Sequence, residues 1–374
     1  MAPASVAAFT DTYLPTVNGV SYTVRTWRDR WAARGGRMDI VYPGSDEYDP
    51  EPGEHPVGSL PFPMYEGFRL GLPTIPDAVA DVDLVHAHTP FAVGLGGVRL
   101  ARRDDLPLVT SYHTPTAEYA EYLSSQPRVE RRIERLAERY ERWFLSRSDA
   151  VVCPSEDTKE RVDSTVTVDT PAVVIPNGVD TDFFAPTDAD GFRERYDLPD
   201  GPLIGYTGRH GYEKNLQEFL RAADGVDATV VIGGDGPARA ELEEIAADLG
   251  LDARFLGFLP REDLPDFYSA LDAFVFPSPV ETQGLVALEA NACGTAVVAV
   301  DAGALSDTID DGVNGYHYDH GDVAGCRDTI RRVLDERPSL SASCLDRREE
   351  TSVDHAVTEL ATLYDRVLAE NASA

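Results

Sequence analysis

Residues 273–301 read AFVFPSPVETQGLVALEANACGTAVVAVD. The runs AFVF and AVVAV are short, continuous and apolar, the pattern of strands buried on both faces, and the chain between them is long enough for one helix. Strand, crossover helix and strand make a unit of parallel sheet. Gly284 opens the predicted helix. Glu281 then lies in the loop after the first strand, and Glu289 about a turn and a half into the helix. Two carboxylates are thereby placed near a strand end, where open α/β sheets bind ligands.

The same alternation of short apolar runs and helical patterns extends along the chain. SVAAFT, MDIVYP, DLVHAHT, PLVTSYHT, DAVVCPS and AVVIPNG form a first series, and PLIGYTG, ATVVIGGDG, ARFLGF, AFVFPS and AVVAVD a second. A chain of 374 residues is long enough for two full cores. The pattern predicts two Rossmann-like, doubly wound domains, one over 1–180 and one over 181–354. Between the series, IPNGVDTDFFAPTDAD carries Pro176, Asn177, Gly178 and Pro186, which break both periodicities and suggest a hinge. The last helical pattern, HAVTELATLYDRVLAE, is expected to return to the first domain as a helix over about 355–374.

Composition narrows the function classes. The formal net charge is -32, and lysine occurs only at Lys159 and Lys214 against 31 arginines. Abundant acid with almost no lysine reads as salt adaptation, since acidic surfaces hold water where molar salt screens charge over about 3 Å. Nucleic acid is excluded as an expected partner. Cys153, Cys293, Cys326 and Cys344 form no C-x-x-C pair and have no histidine at metal-ligand spacing, so they read as reduced core thiols, and no metal is expected. The opening MAPASVAAFTDTYLP has no basic segment and no long apolar run, and no window reaches the roughly 18 apolar residues of a membrane span. A cytoplasmic protein is expected, in contact at most with the inner face of a membrane.

Several further segments could carry chemistry. GYTGRHGYEKN, residues 205–215, follows the first strand of the second series; Gly208 and Gly211 would admit a ligand close to the backbone. Arg209 offers a planar fork to phosphate oxygens and Lys214 a point charge. TVNGVSYTV, residues 16–24, opens a helix at Gly19, whose N-terminus favours an anion. His86, His88 and His113 all fall near strand ends of the first series. GGDGP, residues 233–237, reads as a tight turn rather than a phosphate loop. RVERRIERLAERYERWFLSR, residues 128–147, predicts an amphipathic helix with Val129, Ile133, Leu136, Tyr140 and Trp143 on one face and an arginine stripe beside it. That helix either packs on the core or meets anionic lipid headgroups.

Taken together, these motifs resemble those of the family 4 retaining glycosyltransferases of GT-B fold, over essentially the whole chain. The likeness rests on the Glu-x7-Glu pair of Glu281 and Glu289, on GRHGYEKN, on IPNGVDTDFF and on DTYLPTVNGV. It implies two Rossmann-like domains facing across a cleft, and a nucleotide diphosphate sugar as donor with neither metal nor other cofactor. By the same resemblance Glu289 would bind the ribose hydroxyls and Glu281 the donor sugar, while Arg209 and Lys214 would hold the diphosphate. Backbone N–H groups at Gly284, Leu285, Val286 and Gly19 would assist them. Gly257 and Phe258 would frame the base, and His113 would stand at the reaction centre. Asn291 occupies a place where the family usually has Met, Ala296 one where Pro is common, and Ala304 one where Gly is frequent. SLPFPMYEGFRLGLP and SYHTPTAEYAEYL look most like the glycolipid-forming branch, such as glucosyl- or sulfoquinovosyl-diacylglycerol synthases and phosphatidylinositol mannosyltransferases. The implied reaction is transfer of a hexose, with retention, to an acceptor hydroxyl on a membrane lipid or lipid-linked glycan. A glycosyltransferase with a soluble acceptor and a nucleotide-sugar epimerase of the same fold are the alternatives. Front-face and double-displacement paths both remain open.

Overall fold

The computed structural model describes residues 3–62, 69–113, 127–166 and 170–373. Its contacts divide the chain into two compact units: Met1–Asn177 with Val353–Ala374, and Gly178–Ser352.

Unit 1 contains strands β1 (Ser5–Phe9), β2 (Arg37–Pro43), β3 (Glu54–Val57), β4 (Ser59–Pro61), β5 (Arg69–Gly71), β6 (Leu84–Ala87), β7 (Leu108–Ser111), β8 (Ala150–Cys153) and β9 (Ala172–Val174). Seven of them form a parallel sheet in the order β3-β2-β1-β6-β7-β8-β9, and β4 and β5 pair antiparallel beside it. The twofold alternation of side chains along β1 sends Val6 and Ala8 into one core and Ala7 and Phe9 into another. The first core is closed by Trp27 and Trp31 of the Gly19–Ala33 helix and by Leu360 and Tyr364 of the Val353–Asn371 helix. The second is closed by Val93 and Leu100 of the Ala92–Asp104 helix together with Phe144. β3 was not expected from the sequence. Pro56 interrupts its apolar pattern and is tolerated because β3 is an edge strand.

Unit 2 contains β10 (Leu203–Thr207), β11 (Thr229–Gly233), β12 (Ala253–Gly257), β13 (Ala273–Phe276), β14 (Val297–Val300) and β15 (Gly315–Tyr318). They form a parallel sheet in the order β12-β11-β10-β13-β14-β15. β13, the helix Leu285–Ala292 and β14 are the crossover unit of the opening stretch. That helix turns the small residues Ala287, Ala290 and Ala292 inward, so it lies close on the sheet. Asn291 on the same helix is buried. Its amide donates to the carbonyls of Thr295 and Asn314, each at 3.0 Å, and its own oxygen accepts from Asn314 at 3.1 Å. A polar side chain in a core position is thus fully satisfied.

In each unit strand order reverses once: between β1 and β6 in unit 1, and between β10 and β13 in unit 2. Such switch points leave a crevice at the carboxyl ends of the strands. Lys214 follows β10 and Glu281 follows β13, while Gly19 follows β1 and His88 follows β6; Gly257 and Phe258 instead follow the outer strand β12.

Candidate active site

In unit 2 the chain leaves β10 through Gly208, at φ +148, and passes Arg209 and His210 to a short 3-10 turn, Tyr212–Lys214. The neighbouring loop after β11 lies directly against it. Asp235 O accepts from His210 N at 2.8 Å, His210 O accepts from Ala238 N at 2.9 Å, and Gly234 N donates to Gly257 O at 2.6 Å. His210 is fully buried and its Nε2 donates to Gly233 O at 3.1 Å. A side chain at Gly234, whose φ is +103, would overlap the Gly208 carbonyl. GGDGP is therefore a backbone clamp on the loop that carries Arg209 and Lys214.

Lys214 Nζ donates to Glu281 Oε1 at 2.6 Å, with 20% of the lysine side chain and 15% of the glutamate side chain exposed. Arg209 donates to Glu213 four residues on. Both basic groups of GRHGYEKN are thus in contact with carboxylates. Glu281 sits in the loop after β13, and its carbonyl accepts from Ala304 N at 3.2 Å. Gly284 follows at φ +77, and a Cβ there would stand 2.7 Å from Leu305 Cδ2 and 3.2 Å from Phe276 Cε1. Glycine is required on both counts, and it brings the first N–H groups of the helix, those of Leu285 and Val286, to the strand end.

Glu289 lies farther along that helix, where Oε2 accepts from Tyr268 OH at 2.7 Å. Burial pushes its carboxyl up to about 7, against the Tyr268 hydrogen bond and the Arg261 guanidinium, which both act downward. Tyr268 is wholly buried, and that burial with the Glu289 charge holds its hydroxyl protonated. Gly257, at φ +75, ends β12, and Phe258 beyond it is 72% exposed, an aromatic face open to solvent. Tyr268 and His210 were not singled out from the sequence. Nothing in their local pattern marks them, because each acts on a residue of another segment.

In unit 1, Asn18 caps the helix that begins at Gly19: its side chain accepts from Ser21 N at 2.9 Å and donates to Thr12 Oγ1 at 2.7 Å. Asp11, also missed in the sequence, is buried and accepts from Thr89 Oγ1 at 2.6 Å, Val93 N at 2.7 Å and Gly94 N at 3.1 Å. It ties the loop after β1 to the helix after β6.

The three histidines converge. His86 and His88 stack with ring centres 4.1 Å apart, and His88 and His113 with centres 5.4 Å apart and planes within 13°. His86 Nε2 lies 2.8 Å from Ser111 Oγ and its Nδ1 2.7 Å from Tyr364 OH, while His88 Nδ1 lies 3.1 Å from His113 Nε2. Burial lowers all three, to about 3 for His86, to about 4 for His113 and well below the usual value for His88. The rings are neutral at pH 7. His88 and His113 line a narrow pocket of about 30 Å³ with Thr12, Phe91 and Glu141.

The helix Pro127–Leu145 corrects one expectation. Leu136 is 62% exposed and Trp143 41% exposed, whereas Glu141, Phe144 and Leu145 are buried. Leu136 and Trp143, expected on the packed face, stand out from it, whereas Tyr140 donates to the Pro90 carbonyl and Phe144 and Leu145 anchor the last turns in the second core of unit 1. Side chains at 127–134 lie outside the described residues, as do 63–68 and 114–126, which hold much of the two segments likened to the glycolipid branch. Among the described residues no three His, Cys, Asp or Glu side chains gather as metal ligands, and no helix is long and apolar enough to cross a membrane.

Two parallel sheets with polar groups at their switch points are the architecture of GT-B glycosyltransferases, and solved structures agree. Sucrose-phosphate synthase from Thermosynechococcus elongatus superposes with a TM-score of 0.78 over 98% of this chain and 99% of that one, at 21% identity. Residues 17–183 match Glycosyltransferase Family 4 and residues 188–349 match Glycosyl transferases group 1. The 2-deoxystreptamine glucosyltransferase of Streptomyces kanamyceticus is 32% identical over 77% of this chain and 78% of its own length. The alpha-monoglucosyldiacylglycerol synthase of Streptococcus pneumoniae is 28% identical over 92% and 81%. The chain belongs to glycosyltransferase family 4, and it is a glycosyltransferase of GT-B fold.

Proposed function

We propose that this glycosyltransferase moves a hexose from a nucleotide diphosphate sugar, with retention of configuration, to a hydroxyl of a membrane lipid or lipid-linked glycan. The observation that carries the donor half is the Lys214–Glu281 contact beside the helix that Gly284 opens, with Glu289 held by Tyr268 farther along that helix. Glu289 takes the ribose hydroxyls, Phe258 and Gly257 frame the base, and Glu281 takes the sugar. Lys214, Arg209 and the N–H groups of Leu285 and Val286 receive the charge that grows on the leaving diphosphate. Fixed donors of this kind stabilise a leaving group without a metal. Within unit 1, the Gly19 helix terminus suits an anion, and the family resemblance gives His113 a role at the reaction centre. A neutral His113 offers a hydrogen bond rather than a positive charge.

The lipid acceptor rests on the likeness to alpha-monoglucosyldiacylglycerol synthase and on Leu136 and Trp143, which stand exposed on a helix that also exposes Arg135, Arg139 and Arg142. Such a face suits an anionic membrane surface. The likeness to 2-deoxystreptamine glucosyltransferase supports a second reading, in which the acceptor is a water-soluble polyol. The acidic, lysine-poor composition supports a protein working in concentrated salt.

One experiment separates these readings. The enzyme is incubated with a panel of nucleotide sugars, with diacylglycerol in anionic vesicles or with soluble polyols, at low and at molar KCl. Glycolipid with the donor's anomeric configuration supports the proposal. Product on the polyol alone supports the second reading, and an epimerised donor formed without acceptor refutes both.

A further inference from the structure

The stack of His86, His88 and His113 contains an asymmetry that bears on how His113 meets its ligand. His88 is 1% exposed, its Nδ1 faces His113 Nε2 at 3.1 Å, and its Nε2 is buried with no hydrogen-bond partner among the described residues. A neutral imidazole carries one proton, on one nitrogen. If His113 donated to His88, the His88 proton would sit on Nε2 as a buried, unpartnered N–H, and native structures almost never leave such a donor orphaned. If His88 donates from Nδ1, its Nε2 is only an unused lone pair. The second arrangement costs less.

The consequence falls on His113. Its Nε2 becomes the acceptor, so its single proton lies on Nδ1, the nitrogen left for a ligand. His86 supports the geometry from behind: both its nitrogens are engaged, by Ser111 and by Tyr364, and its ring stacks on His88. Trp27 flanks both rings, 6.0 Å from His86 and 5.8 Å from His88.

We propose that His88 is a positioning residue for His113: its Nδ1–H donates to His113 Nε2 and holds His113 as the Nδ1–H tautomer, so that His113 meets the substrate as a hydrogen-bond donor to a sugar oxygen. This rests on the reading of His113 as a residue of the reaction centre. The role differs from that of a general base, which would need a free lone pair on the nitrogen facing the substrate.

The test labels the full-length enzyme with 15N-histidine and reads the tautomers from two-bond proton–nitrogen correlations, with the His113 signals identified by their loss in His113→Asn. The wild type is expected to show His113 protonated on Nδ1. Asn at position 88 keeps an amide donor where Nδ1 stands, and Leu removes it. His88→Asn should therefore preserve the His113 tautomer and most of kcat, while His88→Leu should mix the tautomers and lower kcat about tenfold, the worth of one hydrogen bond. KM for the nucleotide sugar should change far less. His113 protonated on Nε2 in the wild type would overturn the proposal even if no variant folded. Unchanged kcat in His88→Leu, with the tautomer lost, would also overturn it. Full activity of His113→Asn would instead strike the underlying reading and leave the tautomer measurement standing.

Discussion

Lys214 and Glu281 lie 67 residues apart in the chain and meet in an ion pair of 2.6 Å at the switch point of the unit 2 sheet. Each is the other's counter-charge, and both side chains stay partly exposed, the lysine 20% and the glutamate 15%. Under the proposed function, a diphosphate arriving there would compete for the ammonium and release Glu281 toward the sugar.

Lys214→Ala should lower turnover at least roughly a hundredfold, since one donor to a developing charge contributes about 3 to 4 kcal/mol. Because the partners act on one another, the double variant Lys214→Ala with Glu281→Ala should lose less than the sum of the single losses in a thermodynamic cycle. Near wild-type kcat in Lys214→Ala would refute the diphosphate assignment.

Glu289 titrates near neutrality, which makes its role readable by pH. Its carboxyl in the folded protein lies at about 7, above the ordinary glutamate value of 4.5. Between those values the folded state holds a proton that the unfolded state has lost, so this group's contribution to stability falls as pH rises through the window. Glu289→Gln should accordingly stabilise the protein at pH 8, by about 1 to 3 kcal/mol. Ribose recognition runs the other way, because a carboxylate is the better acceptor. Calorimetric titration with free nucleoside diphosphate should show affinity rising from pH 6 to 8 in the wild type, beyond the dependence left in Glu289→Gln. Glu281→Gln should leave nucleotide affinity nearly unchanged and depress turnover.

Gly234→Ala tests the backbone clamp. The new methyl would strike the Gly208 carbonyl, at a φ of +103 that side chains rarely adopt. Strain and overlap together should cost at least about 2 kcal/mol in chemical denaturation. Nucleotide affinity should fall as well, since the displaced loop carries Arg209 and Lys214. Unaltered affinity in a folded variant would show that GGDGP does not position them.

The imidazole stack predicts acid sensitivity of opposite sign to that of Glu289. His86, His88 and His113 are held below the usual 6.5 by burial, so below that pH the unfolded chain binds more protons than the folded one. Their stabilising contribution is complete above about pH 6.5 and declines as pH falls, by up to about 1.4 kcal/mol per pH unit for each ring that stays neutral. Urea midpoints at pH 7.5 and pH 5 should show the loss, and His113→Asn should reduce it.

How much of this was legible depended on the range over which each signal acts. β13, its helix and β14 could be read from continuous apolar runs, because burial on both faces leaves no polar residue in the strand. β3 was hidden because Pro56 breaks the same signal. The helix Pro127–Leu145 was legible as a helix, and its packed face only in part: Tyr140 packs as expected, while Trp143 suggests a core face by type and Phe144 and Leu145 take that place by geometry. Residue types at Arg209, Lys214, Glu281 and Glu289 stood out by chemistry. What Lys214 touches, and that Tyr268 grips Glu289, depends on which strand ends become neighbours. No local pattern encodes that.

The Val353–Asn371 helix gives the protein an unusual order of completion. The strands of unit 1 precede unit 2 in the chain, yet Leu360 and Tyr364, which close one of its cores and, through Tyr364, hold His86, are translated after all of unit 2. Unit 2 is one uninterrupted segment and can fold as soon as it emerges. The unit that starts earlier therefore finishes later, and until Leu360 and Tyr364 emerge its sheet has only the Gly19–Ala33 helix over that apolar face. A nascent chain stalled before Val353 would expose Trp31 and the hydrophobic residues around it to chaperones, with the His86 partner still unmade.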